Sequence, residues 1–576
     1  MTKKKNRHLL FAAGFVVGGM LAIAVFSNPA TDSTGVAHAQ EGEADAAAVS
    51  DGDWPMWGGT TLRNNVPQGQ GIPTDWDVGE FDRRTGEWIK DDAKNIKWVS
   101  RLGSQSYGNC VVADGRVYLG TNNGAGHLER YPAEVDLGCL LCFDEETGEL
   151  LWQHSSEKLK QGRVVDWPLQ GICCAPYVEG KRLWFVTSRG EIRCVDTEGF
   201  HDGENDGPFK DEDNENKDEA DVIWVTNMME ELGVFQHNMA ACSVACHGDV
   251  LYACTSNGVD NSHINIPSVD APSFIALDKN TGKVLWTDKS PGANILHGQW
   301  SSPAIAELGG VTQVIFVGGD GWVYSFKAGE MKELLWKFDA NPKISKWILG
   351  GRGTRNNIIA TPVIYDDKVY VAVGQDPEHG EGMGHLWCID PTKRGDVSPE
   401  LAVKKGDSTA ILPHKRLQAV IPEQGEEAIA NPNSAVIWHY GHITKEEYDD
   451  ADFEEQMHRS CGTVAIKDDV LYISDFSGLF HCVNAQTGER NWTYDMLAAA
   501  WGSPLIVDGH VYIGDEDGDI AIFKHSADPE VAMDDEEPLA EINMGNSVYS
   551  TPIVANDVLY IANRTHLFAI KAMGAE

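Results

Sequence analysis

The chain has 576 residues and carries 87 acidic against 46 basic side chains, a formal net charge of −41. That balance excludes nucleic acid as a partner, because affinity for a duplex rests on neutralising its phosphates. The acid gathers in runs such as 202–221 and 449–455, which read as solvated, self-repelling loops.

Residues 2–8 are basic and 9–26 form an uncharged apolar run, the pattern of an export segment. The run is near the lower length limit for a membrane span, and the small-x-small site Ala37-His38-Ala39 lies well beyond its end. Residues 1–40 therefore read as either an uncleaved membrane anchor or a cleaved signal peptide. Both readings put the rest of the chain outside the cytoplasm, in the periplasm or cell envelope, anchored or secreted. No cysteine precedes Cys110, so a lipid-bearing N-terminal cysteine is not expected. An acidic linker, 41–53, leads to a repeat domain over 54–576.

Within that domain, 144–152 (DEETGELLW), 278–286 (DKNTGKVLW) and 484–492 (NAQTGERNW) share one frame: an Asp or Asn, a tight Thr-Gly turn and a Trp. Recurrence of this kind marks a repeat architecture. Each copy follows two runs rich in β-branched and aromatic residues, such as Leu251-Tyr252 and then 274–278. The unit predicts four antiparallel strands, and degraded copies bring the number of units to eight. Tryptophans 152, 224, 286, 336, 438 and 492 mark fourth strands, Ala540 takes the slot in the seventh unit, and the eighth unit ends without a fourth strand. Residues 96–99 supply that strand from the other end of the chain. The fold expected is all-β: an eight-bladed β-propeller of four-stranded antiparallel blades, its ring closed by an N-terminal strand.

The cysteines fit this frame better than a disulfide framework. Cys142, Cys194, Cys388 and Cys482 occupy the third-strand slot filled elsewhere by Ala276, Ser325 and Ala569, where a small buried residue is required. Cys139 and Cys142 thereby lose their value as a metal pair.

The string Ala276-Leu277-Asp278 through Thr281-Gly282 to Trp286 resembles the pyrroloquinoline quinone (PQQ) repeat of the quinoprotein alcohol dehydrogenase-like propellers. The resemblance implies blades docked through the tryptophans. It does not select a function, since that superfamily holds dehydrogenases and also non-catalytic scaffolds such as the lipoprotein that assists outer-membrane β-barrel assembly.

In such a blade the links entering first strands, and those joining second to third strands, emerge on one face around the channel. Here those entry links carry Asp166-Trp167, Gln236-His237-Asn238, His297 with Gln299-Trp300, Arg352, Arg355-Asn356-Asn357, His458-Arg459, Trp501 and Tyr549. The second-to-third links add His263 and His379. Arginine forks, imidazoles and aromatic faces converging on a funnel suit an anionic or polyol-like small molecule, or a protein ligand. Mutual satisfaction of these groups at a crowded channel mouth is the alternative.

Cys173-Cys174 also stands on that face. The resemblance implies a vicinal disulfide against the quinone, whereas the slots these residues share with Cys461, Gly462 and Gly502 imply only small packing residues. PQQ and calcium are thus the cofactors to test, with no carboxylate in a string that matches the dehydrogenase motif. On the opposite face, Asp202, Glu204, Asp206 and Asp213 imitate the spacing of a calcium loop, without flanking helices. The insertion 391–433 is expected on that opposite face too, with no readable chemistry. Gly-x-Ser-x-Gly is absent from the chain, which leaves a serine hydrolase unsupported. The functional expectation is a ligand- or protein-binding scaffold of the cell envelope. A PQQ-dependent or PQQ-like dehydrogenase acting on an alcohol or sugar is the alternative.

Overall fold

The computed structural model describes residues 52–572 apart from 83, 85 and 376. The apolar run 9–26 and the Ala37-His38-Ala39 site lie outside the described residues. Among the described residues, no helix is long and apolar enough to cross a membrane.

Eight antiparallel sheets of the expected order follow one another along the chain. The third is the clearest: Ala245–His247, Val250–Cys254, Phe274–Asp278 and Val284–Asp288. The eighth joins Ile553–Ala555, Val558–Ala562 and His566–Ile570 to Ile96–Arg101, so the N-terminal strand completes the last blade as expected.

Register explains the small third-strand slot. Ala276 stands opposite Tyr252 on one side and Trp286 on the other, and Cys142, Cys388 and Cys482 stand between a Tyr and a Trp in the same way. Two aromatics facing one position leave room only for Ala or Cys. Blade 7 inverts the bargain: Ala540 replaces the Trp, and the larger Ile522 fills the slot between it and Tyr512.

The tryptophans also tie blade to blade. The indole N–H of Trp152 donates to Thr197 O (3.0 Å), Trp286 to Gly329 O (3.0 Å), Trp438 to Ala485 O (2.9 Å) and Trp98 to Glu145 O (3.0 Å), each on the following blade. The Thr-Gly turn receives the previous blade's ring. Gly282 has φ +71°, and a β-carbon there would lie 2.5 Å from the Trp224 ring, so the turn geometry and the packing both demand glycine.

The sequence reading did not anticipate what fills the channel. Residues 52–65 circle its inside and bond to the innermost strand, or the residues just before it, of all eight blades. Trp54 pairs with Val112, and Pro55 O accepts from Val178 N. Thr61 O accepts from Ile305 N, Leu62 O from Ile364 N and Asn65 O from Ile506 N. The Asn64 amide donates to Ile466 O, and that of Asn65 to Pro504 O and Pro552 O. At the centre, the fully buried Arg63 guanidinium donates to the carbonyls of Pro303, Trp57 and Val244, each at 2.8 Å.

The 391–433 insertion departs from expectation. It folds as a separate three-stranded sheet of Glu400–Lys404, Asp407–Ile411 and Glu426–Ala430, and Gly395–Asp396 adds a parallel edge strand to blade 4. With its base on the flank of blade 4, it climbs back to the ligand-side links, where Lys346 bridges to Gln418.

Candidate functional site

The links on the loop-rich face, where a funnel is expected, bring together two unlike clusters of side chains, here called its walls. One wall is imidazole. His237 enters from the link before blade 3, His297 from the link before blade 4, His263 from the second-to-third link of blade 3, and His379 from the 3-10 turn Pro377–His379 of blade 5. Ring centroids of His237 and His297 are 4.3 Å apart, His237 and His263 5.0 Å, His263 and His297 4.8 Å, and His297 and His379 5.0 Å. His237 and His297 are buried; His263 and His379 are partly exposed.

Backbone bonds hold the cluster in register. His237 Nδ1 lies 2.7 Å from Val259 O, Val259 N donates to His297 O at 3.0 Å, and the Trp300 indole donates to His237 O at 3.1 Å. Gly258 makes the approach feasible, since a β-carbon there would fall 2.6 Å from His237 Cβ.

The other wall is aromatic. Tyr107 stacks on Tyr549 with centroids 4.9 Å apart, and Trp501 lies 4.7 Å from Tyr549, all three partly exposed. Cys173 lies between the walls, its Sγ 3.5 Å from Met239 Sδ. Met239 O in turn accepts from Trp300 Nε1.

Much of the remaining polarity is already committed within the protein. Arg355 is fully buried and donates to both Asp339 oxygens (3.0 and 2.8 Å) and to Ser345 Oγ (3.0 Å). Burial favours the neutral acid at Asp339, but Arg355 and Lys343 outweigh it and hold the carboxyl well below its ordinary range. Arg459 donates to Asn356 Oδ1 (3.0 Å) and to the carbonyls of His379 (3.0 Å), Gly351 (2.5 Å) and Gly353 (2.7 Å), so it fastens the loop that carries His379. Asn356 is further bonded to Gln375 and Met383 O, while Asn357 reaches Gly298 O at 3.5 Å.

The other anticipated residues are distributed around this frame. Arg352 is exposed. Asp166 is paired with Lys158 beneath Trp167, over which Arg163 stacks at 4.0 Å. Gln236 bonds the carbonyls of Val165 (2.6 Å) and Ser188 (2.7 Å), Gln299 bonds Asn257 O (2.9 Å), and the backbone of Asn238 pairs with Val164 and Trp167. His458 presents Nδ1 to both Asp475 Oδ2 (3.1 Å) and Ser477 Oγ (2.8 Å), with Nε2 on Gln456 (3.1 Å). One nitrogen facing both groups makes no nucleophile–base–acid relay.

The family model described as outer membrane protein assembly factor BamB matches residues 426–574. Over that stretch the repeat is similar to the PQQ repeat, and the fold is a β-propeller. Among solved structures, the propeller is similar to BamB from Moraxella catarrhalis, with 14% identity over 84% of this chain and 98% of that one and a TM-score of 0.46. It is similar to the computationally designed Ika8 protein, with 10% identity, coverage of 83% and 100% and a TM-score of 0.43. A europium-containing methanol dehydrogenase gives 11% identity, coverage of 90% and 91% and a TM-score of 0.42. The curated proteins give no match.

The quinone site implied by the resemblance finds a poor donor set on the loop-rich face. All twelve cysteines are free thiols. Cys173 Sγ faces Met239, whereas Cys174 Sγ turns to Val186 O at 3.2 Å, so the strained ring implied by the resemblance is not formed. Burial pushes the Cys173 thiol up to about 12, which keeps it protonated and poorly nucleophilic. Of the two arginines expected near a quinone, Arg355 is buried and committed to Asp339 and Ser345, and Arg352 is exposed. On the opposite face, Asp202 lines a cavity with Asp114, Asp144 and Glu198, whereas Asp213 lines another with Arg130 and Arg189, so the acidic loop does not wrap one centre.

Sequence reasoning missed Tyr107 and the reach of the insertion. A Tyr two residues after Gln105 on an entry link was signal enough for the first; nothing local signals the second.

Proposed function

We propose that this propeller is an extracytoplasmic binding protein of the cell envelope, which holds a ligand on its loop-rich face rather than oxidising substrate with a quinone. The observation that carries the reading is the asymmetry of the channel. Its interior is crossed by 52–65, while the loop-rich face keeps Tyr107, Trp501 and Tyr549 packed on one another and partly exposed. Aromatic faces beside a few fixed polar groups suit a ring-bearing ligand or the side chains of a partner protein. The export pattern of residues 1–40 supports the location, and the match to a family described as an outer membrane assembly factor supports a binding role.

Calorimetric titration with PQQ, with and without Ca²⁺, tests this against the dehydrogenase. The expected outcome is no saturable heat under either condition. Saturable, Ca²⁺-dependent binding that disappears in Cys173→Ser would replace the binding-protein reading with an oxidoreductase.

A further inference from the structure

The imidazole wall has a chemistry that a general ligand funnel does not require. His237, His263 and His297 each offer one ring nitrogen, and these nitrogens lie within 4.8 Å of one another. Around a tetrahedral ion with metal–nitrogen distances of about 2.0–2.1 Å, ligand nitrogens stand roughly 3.4 Å apart, so small ring rotations close the set. Two of the three rings are buried, and three different links supply them.

A second feature is independent of that proximity. His237 Nδ1 lies 2.7 Å from Val259 O. A carbonyl only accepts, so Nδ1 carries the proton and the lone pair is on Nε2. This backbone arrangement is the one that fixes tautomer and ring orientation in metal-ligating histidines.

The scaffold is also braced where the ligands are carried. The Arg416 guanidinium, delivered by the insertion, donates to the carbonyls of Ile264, His263 (3.3 Å) and Leu296 (3.4 Å). It thereby clamps the His263 loop to the segment that bears His297. Through its bond to His379 O, Arg459 holds a fourth imidazole beside His297. We propose that His237, His263 and His297 form a binding site for one divalent first-row transition-metal ion, with the remaining coordination position facing the funnel. An all-nitrogen donor set favours zinc, copper, nickel or iron over calcium or magnesium. Arg416 is a positioning residue for that site.

The test is titration of the tag-free, chelator-stripped protein with Co²⁺, read by its visible ligand-field absorption, with Zn²⁺ competition. One equivalent of Co²⁺ with tetrahedral-type bands, displaced by one equivalent of Zn²⁺, is the expected result. The His263→Ala/His297→Ala variant should bind more than about 100-fold more weakly, beyond the 10–100-fold that loss of an outer-shell partner costs. His247→Ala, at an exposed histidine on the inner strand of blade 3, should bind as the parent does. If the double variant does not fold, as judged by far-ultraviolet circular dichroism, His263→Gln alone replaces it, since His263 lies on a partly exposed loop. Substoichiometric binding by the parent, or equal affinity in the ligand variants, overturns the proposal.

Discussion

The interior of the channel and its loop-rich face carry similar residue types and use them in opposite ways. Inside, Arg63, Asn64 and Asn65 spend their donors on backbone carbonyls of successive blades, so the polar groups act as fasteners. At the face, arginine again fastens, but what Arg459 and Arg416 hold in place are the loops that carry His379 and His263. Residue type alone therefore does not mark a binding group here. What separates the two regions is where the fastened carbonyls lie: at the innermost strands for Arg63, Asn64 and Asn65, and on the links for Arg459 and Arg416.

The sharpest way to break the comparison is to remove a fastener from under the face. In Asp339→Asn the buried Arg355 and Lys343 lose the charge that compensates them, and loss of one partner of a buried ion pair costs about 3–5 kcal/mol. The effect depends on pH. Because the Asp339 carboxyl is held below its ordinary value of about 3.9, its contribution is complete above that value and fades as pH falls through the depressed one. Urea unfolding should therefore show the full gap between variant and parent at pH 5–8, and a gap that narrows below about pH 4. A constant gap down to the lowest accessible pH would mean that packing, not charge, is what the variant removes.

Inside the channel, Arg63→Ala should cost about 2–3 kcal/mol, because three inward carbonyls lose a charged donor and remain buried. Arg63→Lys should recover little of this, since an ammonium on a flexible stem cannot serve three fixed directions as a planar guanidinium does. The effect on metal binding at the face should be small. A large loss of Co²⁺ affinity in Arg63→Ala would show that the two regions are coupled, not merely stacked.

What the chain reveals before folding follows the same division. The blades were legible because each rests on local rules: an Asp-capped Thr-Gly turn, a small residue opposite two aromatics, a Trp eight residues after the opening Asp or Asn. Even the closing strand, read at 96–99 and found over Ile96–Arg101, could be inferred, since the eighth unit lacked one. The circlet at 52–65 was not, because each of its bonds goes to a different blade, and no periodicity survives in a segment whose partners are scattered along the whole chain. At the face, the links that bear the histidines were legible as polar entries, yet the role of Arg355 and Arg459 was not. A guanidinium looks the same in sequence whether it meets a ligand or its own chain's Asp339 and Gly351.

The smallest stability effect should come from the aromatic wall, and it bears most directly on function. Trp501 is partly exposed and its indole N–H reaches only Glu516, at 3.3 Å, so Trp501→Ala removes surface area without leaving a buried group unpaired. Unfolding free energy should change by about 1 kcal/mol or less, whereas truncating a blade tryptophan such as Trp286 costs about 3–5 kcal/mol. Ligand retention should behave the other way: lost in Trp501→Ala, and kept in any Trp286 variant that still folds. Equilibrium unfolding of the two variants, together with binding of envelope extracts to each immobilised protein, checks the pair. If Trp501→Ala destabilises as much as Trp286→Ala, the aromatic wall belongs to the frame, and the funnel loses its claim to be a surface kept open for a partner.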